Sequence, residues 1–272
     1  MKKLTDQVIS RIAAESCLFL FLDYDGTLTP IASGPSKAKL GGLVRQLLRE
    51  LKTARGVKVA IVSGRSLANL KQYVRIPGLI YAGNHGFEVQ GHGISYVHPA
   101  ALALEHSFRR MTRQLKKALV SFRGILIEHK TFSISVHYRH VRLPDRIQAA
   151  KKILLEKLKS LRHTPVVLAD GKKVWEIRPT AEWHKGETVS WLLRRVGLME
   201  KKDYFPVYVG DDVTDEDAFR AIRKKGVGIK VISGKKGSSR ARYFVRSTTE
   251  AVRFLRKIIF LRKAHGVQNV QR

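Results

Sequence analysis

The sequence predicts an α/β protein: an open parallel-sheet core interrupted by an inserted α+β segment. Three observations carry that prediction. Short, wholly apolar runs recur in the first and last thirds of the chain, each ending in a polar turn. Helix-period apolar patterns separate those runs. Between the two stretches the pattern changes to alternating strands and paired helices. Apolar runs without alternation suit strands covered on both faces, as in a parallel sheet, whereas alternation suits antiparallel strands with one exposed face.

In chain order, residues 18–22 form the first buried strand, and Leu40, Leu43, Val44, Leu47, Leu48 and Leu51 follow at helical spacing. Residues 57–62 and 79–82 are the second and third strands. Phe108, Met111, Leu115 and Leu119 then mark an amphipathic helix, and residues 125–128 and 132–138 alternate as strands. A second helix carries Ile147, Leu154, Leu158 and Leu161, and a hairpin joins 166–168 to 174–177 through Asp170-Gly171. From Lys185 the first pattern returns. Val189, Leu192, Leu193 and Val196 line a helix, 207–209 is a strand, and a helix starts near Asp215. Residues 228–231 form a short strand, and 251–261 close the chain as a helix. The organisation is thus a discontinuous core, 1–99 with 180–272, around an inserted domain at 100–179.

Composition narrows the class. With 272 residues, 44% of them apolar, the chain has ample material for a core. Its only cysteine, Cys17, excludes an internal disulfide and agrees with a reducing, cytoplasmic setting. The start lacks the apolar stretch of a signal peptide, and residues 18–22 fall far short of the ~20 that cross a membrane, so no membrane insertion is expected. Lys and Arg number 52 against 22 Asp and Glu, a net charge of +30. Such a field attracts phosphorylated small molecules, nucleic acid and other polyanions. The basic residues are spread along helices, without an RNA-binding aromatic motif, zinc-finger spacing or basic tail. Solvated helix faces are therefore favoured over a dedicated nucleic-acid site, and no obligate protein partner is evident.

Four motifs carry chemistry. In FLDYDGTLTP, residues 21–30, a buried strand delivers Asp23 and Asp25 into a turn, and alternation would set both carboxylates on one side if the extended geometry continues through Tyr24. Gly26 lets backbone amides approach a phosphate, and Thr27 offers a hydroxyl. In VSGR, residues 62–65, Ser63 and the amide of Gly64 can hold a phosphoryl oxygen at a helix start. Arg65 reaches either phosphate or a core carboxylate. Lys185 heads the returning helix in WHKGETVSWLL. In VYVGDDVTDEDAF, residues 207–219, Asp211, Asp212 and Asp215 supply hard oxygen donors suited to magnesium, with Glu216 read as a helix-capping residue.

Taken together, these motifs resemble the haloacid-dehalogenase-like phosphatases, whose core is Rossmann-like. The resemblance implies that Asp23 is the nucleophile and Asp25 the general acid and base. It also implies that Ser63 and Lys185 bind the phosphoryl group. A magnesium ion would lie among Asp23, the carbonyl of Asp25 and Asp211, with Asp212 or Asp215 acting through water. Three further stretches, GNHG (83–86), IEHKTFSISVHYR (127–139) and WEIRP (175–179), resemble trehalose-6-phosphate phosphatases, and the likeness spans nearly the whole chain. That resemblance implies a cap that reads sugar hydroxyls. Glu128, Lys130, Arg139 and Glu176 would do so, with Arg65, Asn84 and His85 on the core side, and His137 and Arg178 as further candidates. The implied reaction releases trehalose and phosphate, the last step of trehalose biosynthesis. Two alternatives stay open: a capped phosphatase for sucrose phosphate or mannosyl-3-phosphoglycerate, and a catalytically silent sugar-phosphate sensor.

Overall fold

The computed structural model describes residues 1–32, 38–159, 164–234 and 237–268. The chain divides into two units, one of Met1–Ser95 with Trp183–Arg272 and one of Tyr96–Glu182. The first stretch runs β1 (Lys2–Lys3), α1 (Asp6–Ala14), β2 (Leu18–Leu22), α2 (Gly42–Thr53), β3 (Val57–Val62), α3 (Leu67–Val74), β4 (Ile80–Gly83), β5 (Glu88–Gly91) and β6 (Ile94–Val97). All five side chains of β2 are buried. Leu18, Leu20 and Leu22 enter the same core as Val44, Leu47, Leu48 and Leu51 of α2. Phe19 and Phe21 point the other way and stack, ring centroids 4.1 Å apart. Truncating Leu20 to Ala would cost roughly 2–5 kcal/mol, because the packed surroundings cannot close the gap.

Two details of α2 depart from the sequence reading. Leu40 precedes the helix, although it is buried. Leu43 is 50% exposed. At 3.6 residues per turn it lies roughly 90° from the centre of the stripe formed by Val44, Leu47, Leu48 and Leu51. The early strand β1, the helix α1 and the β5–β6 pair are elements the apolar pattern did not reveal.

The second unit contains α4 (Pro99–Leu102), α5 (Glu105–Ala118), β7 (Leu126–His129), β8 (Ile134–His137), α6 (Pro144–Lys159), β9 (Val166–Gly171) and β10 (Val174–Pro179). Its four strands lie in the order β7-β8-β10-β9, with every pairing antiparallel. Phe108, Met111, Leu115, Ala150 and Leu154 of the helices pack with Ile134, Val136, Trp175 and Ile177 of the strands. Period-two alternation sends Glu128, Ser135, His137, Glu176 and Arg178 to the opposite face. Leu161, expected on α6, lies outside the described residues. The hairpin turn is also displaced. Val174 pairs with Gly171, so Lys172-Lys173 make the turn, with Lys173 at φ 64°, and Asp170-Gly171 belong to β9. Keeping Trp175 and Ile177 on the buried face fixes that register against the local turn preference.

The chain returns through α7 (Lys185–Glu200), β11 (Phe205–Gly210), α8 (Asp215–Ile222), β12 (Val227–Val231), β13 (Tyr243–Val245) and α9 (Thr248–Gln268). The large sheet has the order β1-β13-β12-β11-β2-β3-β4-β5-β6. Its pairings are parallel from β1 across to β4, and β5 turns antiparallel against β4. From β2 the chain first builds outward to β3 and later crosses to β11 on the other side. This reversal opens a crevice at the carboxyl ends of β2 and β11, the usual ligand position in such sheets. Among the described residues no helix is long and apolar enough to cross a membrane.

Candidate active site

The acids at that crevice are set by the two central strands. The amide of Asp23 donates to the carbonyl of Val209 at 2.9 Å, fixing the end of β2 against β11. Asp23, Asp211 and Asp215 are all buried, and each offers one oxygen within 4.8 Å of the others. Gly26 brings the turn after β2 against this cluster. At φ +83° it holds a conformation that L residues rarely adopt, and a Cβ there would lie 2.3 Å from Asp211 Oδ2. Asp212 stays out of the cluster, and its amide donates to Asp215 Oδ2 at 2.8 Å.

Lys185 holds the cluster together. His184 caps α7, its Nδ1 accepting from the amides of Gly186 and Glu187 at 3.1 and 3.3 Å. This cap fixes Lys185 in the first turn, where its ammonium donates to Asp23 Oδ1 and Asp215 Oδ1, each at 2.7 Å. Tyr208 also donates to Asp215 Oδ1 at 2.7 Å. Burial alone lowers the pKa of Lys185, but the Asp215 and Asp23 carboxylates outweigh it and hold that pKa well above the ordinary lysine value. Burial raises the pKa of Asp23 well above the usual carboxyl range. Lys185 opposes the rise, and repulsion from Asp215 and Asp211 adds to it. Three buried carboxylates facing one ammonium are a donor set that fits a divalent cation, which would relieve this repulsion.

Arg65 goes to the core carboxylate. Its Nε and Nη2 donate to Asp25 Oδ2 and Oδ1 at 2.6 and 2.7 Å, and Nη1 donates to Asn69 at 2.8 Å. Ser63 Oγ accepts from the Arg65 amide at 3.2 Å. The Thr27 hydroxyl is buried without a hydrogen-bond partner among the described residues, a donor suited to an incoming oxyanion.

The GNHG segment braces this turn. Asn84, His85 and Gly86 take φ 48°, 57° and 96° in succession. The amides of Asn84 and His85 donate to the carbonyls of Arg65 and Ser63 at 2.6 and 2.9 Å. The Asn84 side chain serves the scaffold, donating to the buried Glu88 carboxylate at 2.7 Å, which also accepts from the amide of Leu67. The His85 ring lies over Gly64, where any Cβ would meet it at 2.7 Å. Glu216 is not the cap read from sequence. It accepts from Lys230, Ser239 and the Arg240 amide, while Lys230 also donates to the carbonyl of Asp212. Tyr208, Glu88 and Asn69 escaped sequence reading. Tyr208 sits in a uniformly apolar strand, and the other two matter only through partners distant in the chain.

In the second unit, Lys130 donates to Glu176 Oε1 at 3.0 Å, and Ser135 donates to the same oxygen at 3.4 Å. His137 Nε2 lies 3.0 Å from Glu128 Oε2. These residues form one polar patch on the sheet face opposite the helices. Arg139 turns to the hairpin instead, donating to the carbonyl of Lys172 at 3.1 Å.

Sheet order and the acids at its switch point give the larger unit the fold of the haloacid-dehalogenase-like hydrolases. A hydrolase of that description from Bacteroides thetaiotaomicron matches the fold over 89% of this chain and 99% of its own, at a TM-score of 0.60 and 16% identity. The trehalose-phosphatase family matches residues 21–249, and the chain belongs to that family. A probable trehalose-phosphate phosphatase 3 of Oryza sativa is 34% identical, the match covering 89% of this chain and 69% of the relative. The trehalose 6-phosphate phosphatase RA3 of Zea mays is 35% identical over the same shares. The C-terminal domain of a C. albicans trehalose-6-phosphate phosphatase superposes with a TM-score of 0.77 at 23% identity, covering 95% of this chain and 98% of the other.

Proposed function

We propose that this protein hydrolyses trehalose 6-phosphate to trehalose and inorganic phosphate with Mg²⁺. The observation that carries the reading is the Lys185 bridge between Asp23 and Asp215 beside Asp211, in a chain of this family. Lys185 engages Asp23 Oδ1 and leaves Oδ2 to attack phosphorus. The Asp23–phosphorus bond forms as the phosphorus–sugar oxygen bond breaks, and Asp25 supplies the proton that the leaving oxygen takes. Water then attacks the aspartyl-phosphate, Asp25 takes its proton, and phosphate departs from a regenerated Asp23. Ser63, the Gly64 amide, Thr27 and Lys185 bind the phosphoryl oxygens. Asp23, the Asp25 carbonyl and Asp211 would hold Mg²⁺, with Asp215 through water, and the ion would offset charge repulsion between acids and phosphate. Asp212, whose carboxylate lies outside the cluster, is assigned no ligand role.

Domain roles follow: the larger unit performs the chemistry, and the smaller one sets specificity. Glu128, Lys130 and Glu176 read sugar hydroxyls, since each carboxylate accepts from two neighbouring hydroxyls. The test is a panel of trehalose 6-phosphate, sucrose phosphate and mannosyl-3-phosphoglycerate with wild type, Glu128→Gln and Glu176→Gln. We expect trehalose 6-phosphate to be turned over fastest. Each variant should raise its KM roughly tenfold or more, in line with about 1.5–3 kcal/mol for a charged hydrogen bond. Turnover of p-nitrophenyl phosphate should stay within twofold. Faster turnover of either other sugar phosphate would remove the trehalose assignment.

A further inference from the structure

Arg65 is too fully engaged to read a sugar. It is 7% exposed. Two of its nitrogens hold Asp25 and the third holds Asn69. Its guanidinium lies 5.1 Å from the ring centre of Tyr24 and 5.0 Å from that of Tyr73. Its backbone is fixed as well, the amide donating to Ser63 Oγ and the carbonyl accepting from Asn84. Asp25 is the opposite case, with a side chain 40% exposed and turned toward solvent. A carboxylate in that setting has several rotamers open to it, and a planar two-pronged donor selects one. Both Asp25 oxygens accept from Arg65, so the direction of the carboxylate is fixed by one side chain.

We propose that Arg65 is a positioning residue that aims Asp25 at the water hydrolysing the aspartyl-phosphate. The inference rests on the covalent reading given above. In that step the water oxygen bonds to phosphorus and the phosphorus–Asp23 bond breaks. The water proton passes to Asp25, and the bonding pair returns to the Asp23 carboxylate. The earlier step, attack by Asp23, needs no proton donor when the leaving group is a stable anion such as p-nitrophenolate. Loss of Arg65 therefore slows one half-reaction selectively on an aryl phosphate.

Rapid-mixing kinetics of Arg65→Lys on p-nitrophenyl phosphate with Mg²⁺ test this. We expect kcat to fall about 10- to 100-fold, within the range for general acid–base assistance, with KM within about threefold. A burst of p-nitrophenolate approaching one equivalent per site should precede the slow phase, with phosphoenzyme recovered by acid quench. Asn69→Ala, which loosens only the Nη1 anchor, should give the same burst with a smaller fall of about 2- to 5-fold. A merely structural defect lowers the rate without producing a burst. Loss of kcat in both variants with no burst overturns the proposal, as does a raised KM with kcat unchanged, the pattern of a substrate-binding arginine. Because the probe is an aryl phosphate, a burst supports the inference even where trehalose 6-phosphate proves a poor substrate. A wild-type enzyme that forms no phosphoenzyme would overturn both readings.

Discussion

The Lys185 ammonium lies 2.7 Å from Asp23 Oδ1, although 162 residues separate the two in sequence. A second contact of equal length to Asp215 makes the lysine the counter-charge of a buried acid cluster. Lys185→Gln leaves those carboxylates buried without it, a loss of roughly 3–5 kcal/mol. For a chain of this size the expected fall in Tm is on the order of 10 °C. Differential scanning calorimetry of the metal-free proteins checks the prediction, and turnover should be lost as well.

Removing a negative charge from the same cluster should act in the other direction. Repulsion from Asp211 helps to push the Asp23 pKa up. Asp211→Asn is thus expected to raise the metal-free Tm by about 2–4 °C, the shift for ~1 kcal/mol in a chain of this size. The same variant should abolish the Tm increase that Mg²⁺ gives the wild type. A thermal titration with and without Mg²⁺ reads both effects.

Gly26 offers a steric test of the same site. A Cβ at 2.3 Å from Asp211 Oδ2, on a backbone at φ +83°, forces either the turn or the acid to move. Gly26→Ala should lower kcat at least tenfold and raise the Mg²⁺ concentration for half-maximal rate, since a displacement near 1 Å can cost ~100-fold. Steady-state rates across a Mg²⁺ series measure both.

The parts of this site that were legible in sequence share one feature: each polar turn directly follows an apolar strand or opens a helix. Asp23 and Asp211 were readable because β2 and β11 are apolar throughout and then stop. The partner of Arg65 was not, since Asp25 lies 40 residues away and only the parallel pairing of β2 with β3 brings them together. Asp212 and Asp215 are chemically identical. Their placements differ because the Asp212 amide binds Asp215 and the helical turn directs Asp215 into the cluster. The Lys172-Lys173 turn was hidden for a related reason, because tertiary burial of Trp175 overrode the Asp-Gly signal. Arg139 had the right chemistry for a sugar but lies past the end of β8, where the strand face no longer dictates its direction.

A stability prediction concerns the end of α7. Glu200 accepts from Tyr204 and pairs with Lys58 at 2.5 Å and His92 at 2.7 Å. Partial burial favours its neutral form, but Lys58 and Tyr204 prevail and lower its pKa to about 2. A carboxyl depressed on folding contributes stability above its unfolded pKa and loses it as pH falls through the folded value. Glu200→Gln should cost about 1 kcal/mol at pH 7, a fall in Tm of about 2–4 °C. The gap to wild type should close between about pH 4.5 and 2. Thermal unfolding of both proteins across that range decides it.

Phosphate release from trehalose 6-phosphate with Mg²⁺, compared between wild type and Asp23→Asn, tests the nucleophilic role of Asp23 directly. Metal-dependent turnover is expected in the wild type, at least 1,000-fold lower in the variant, as removal of a covalent nucleophile requires. Equal turnover in the two proteins would contradict it.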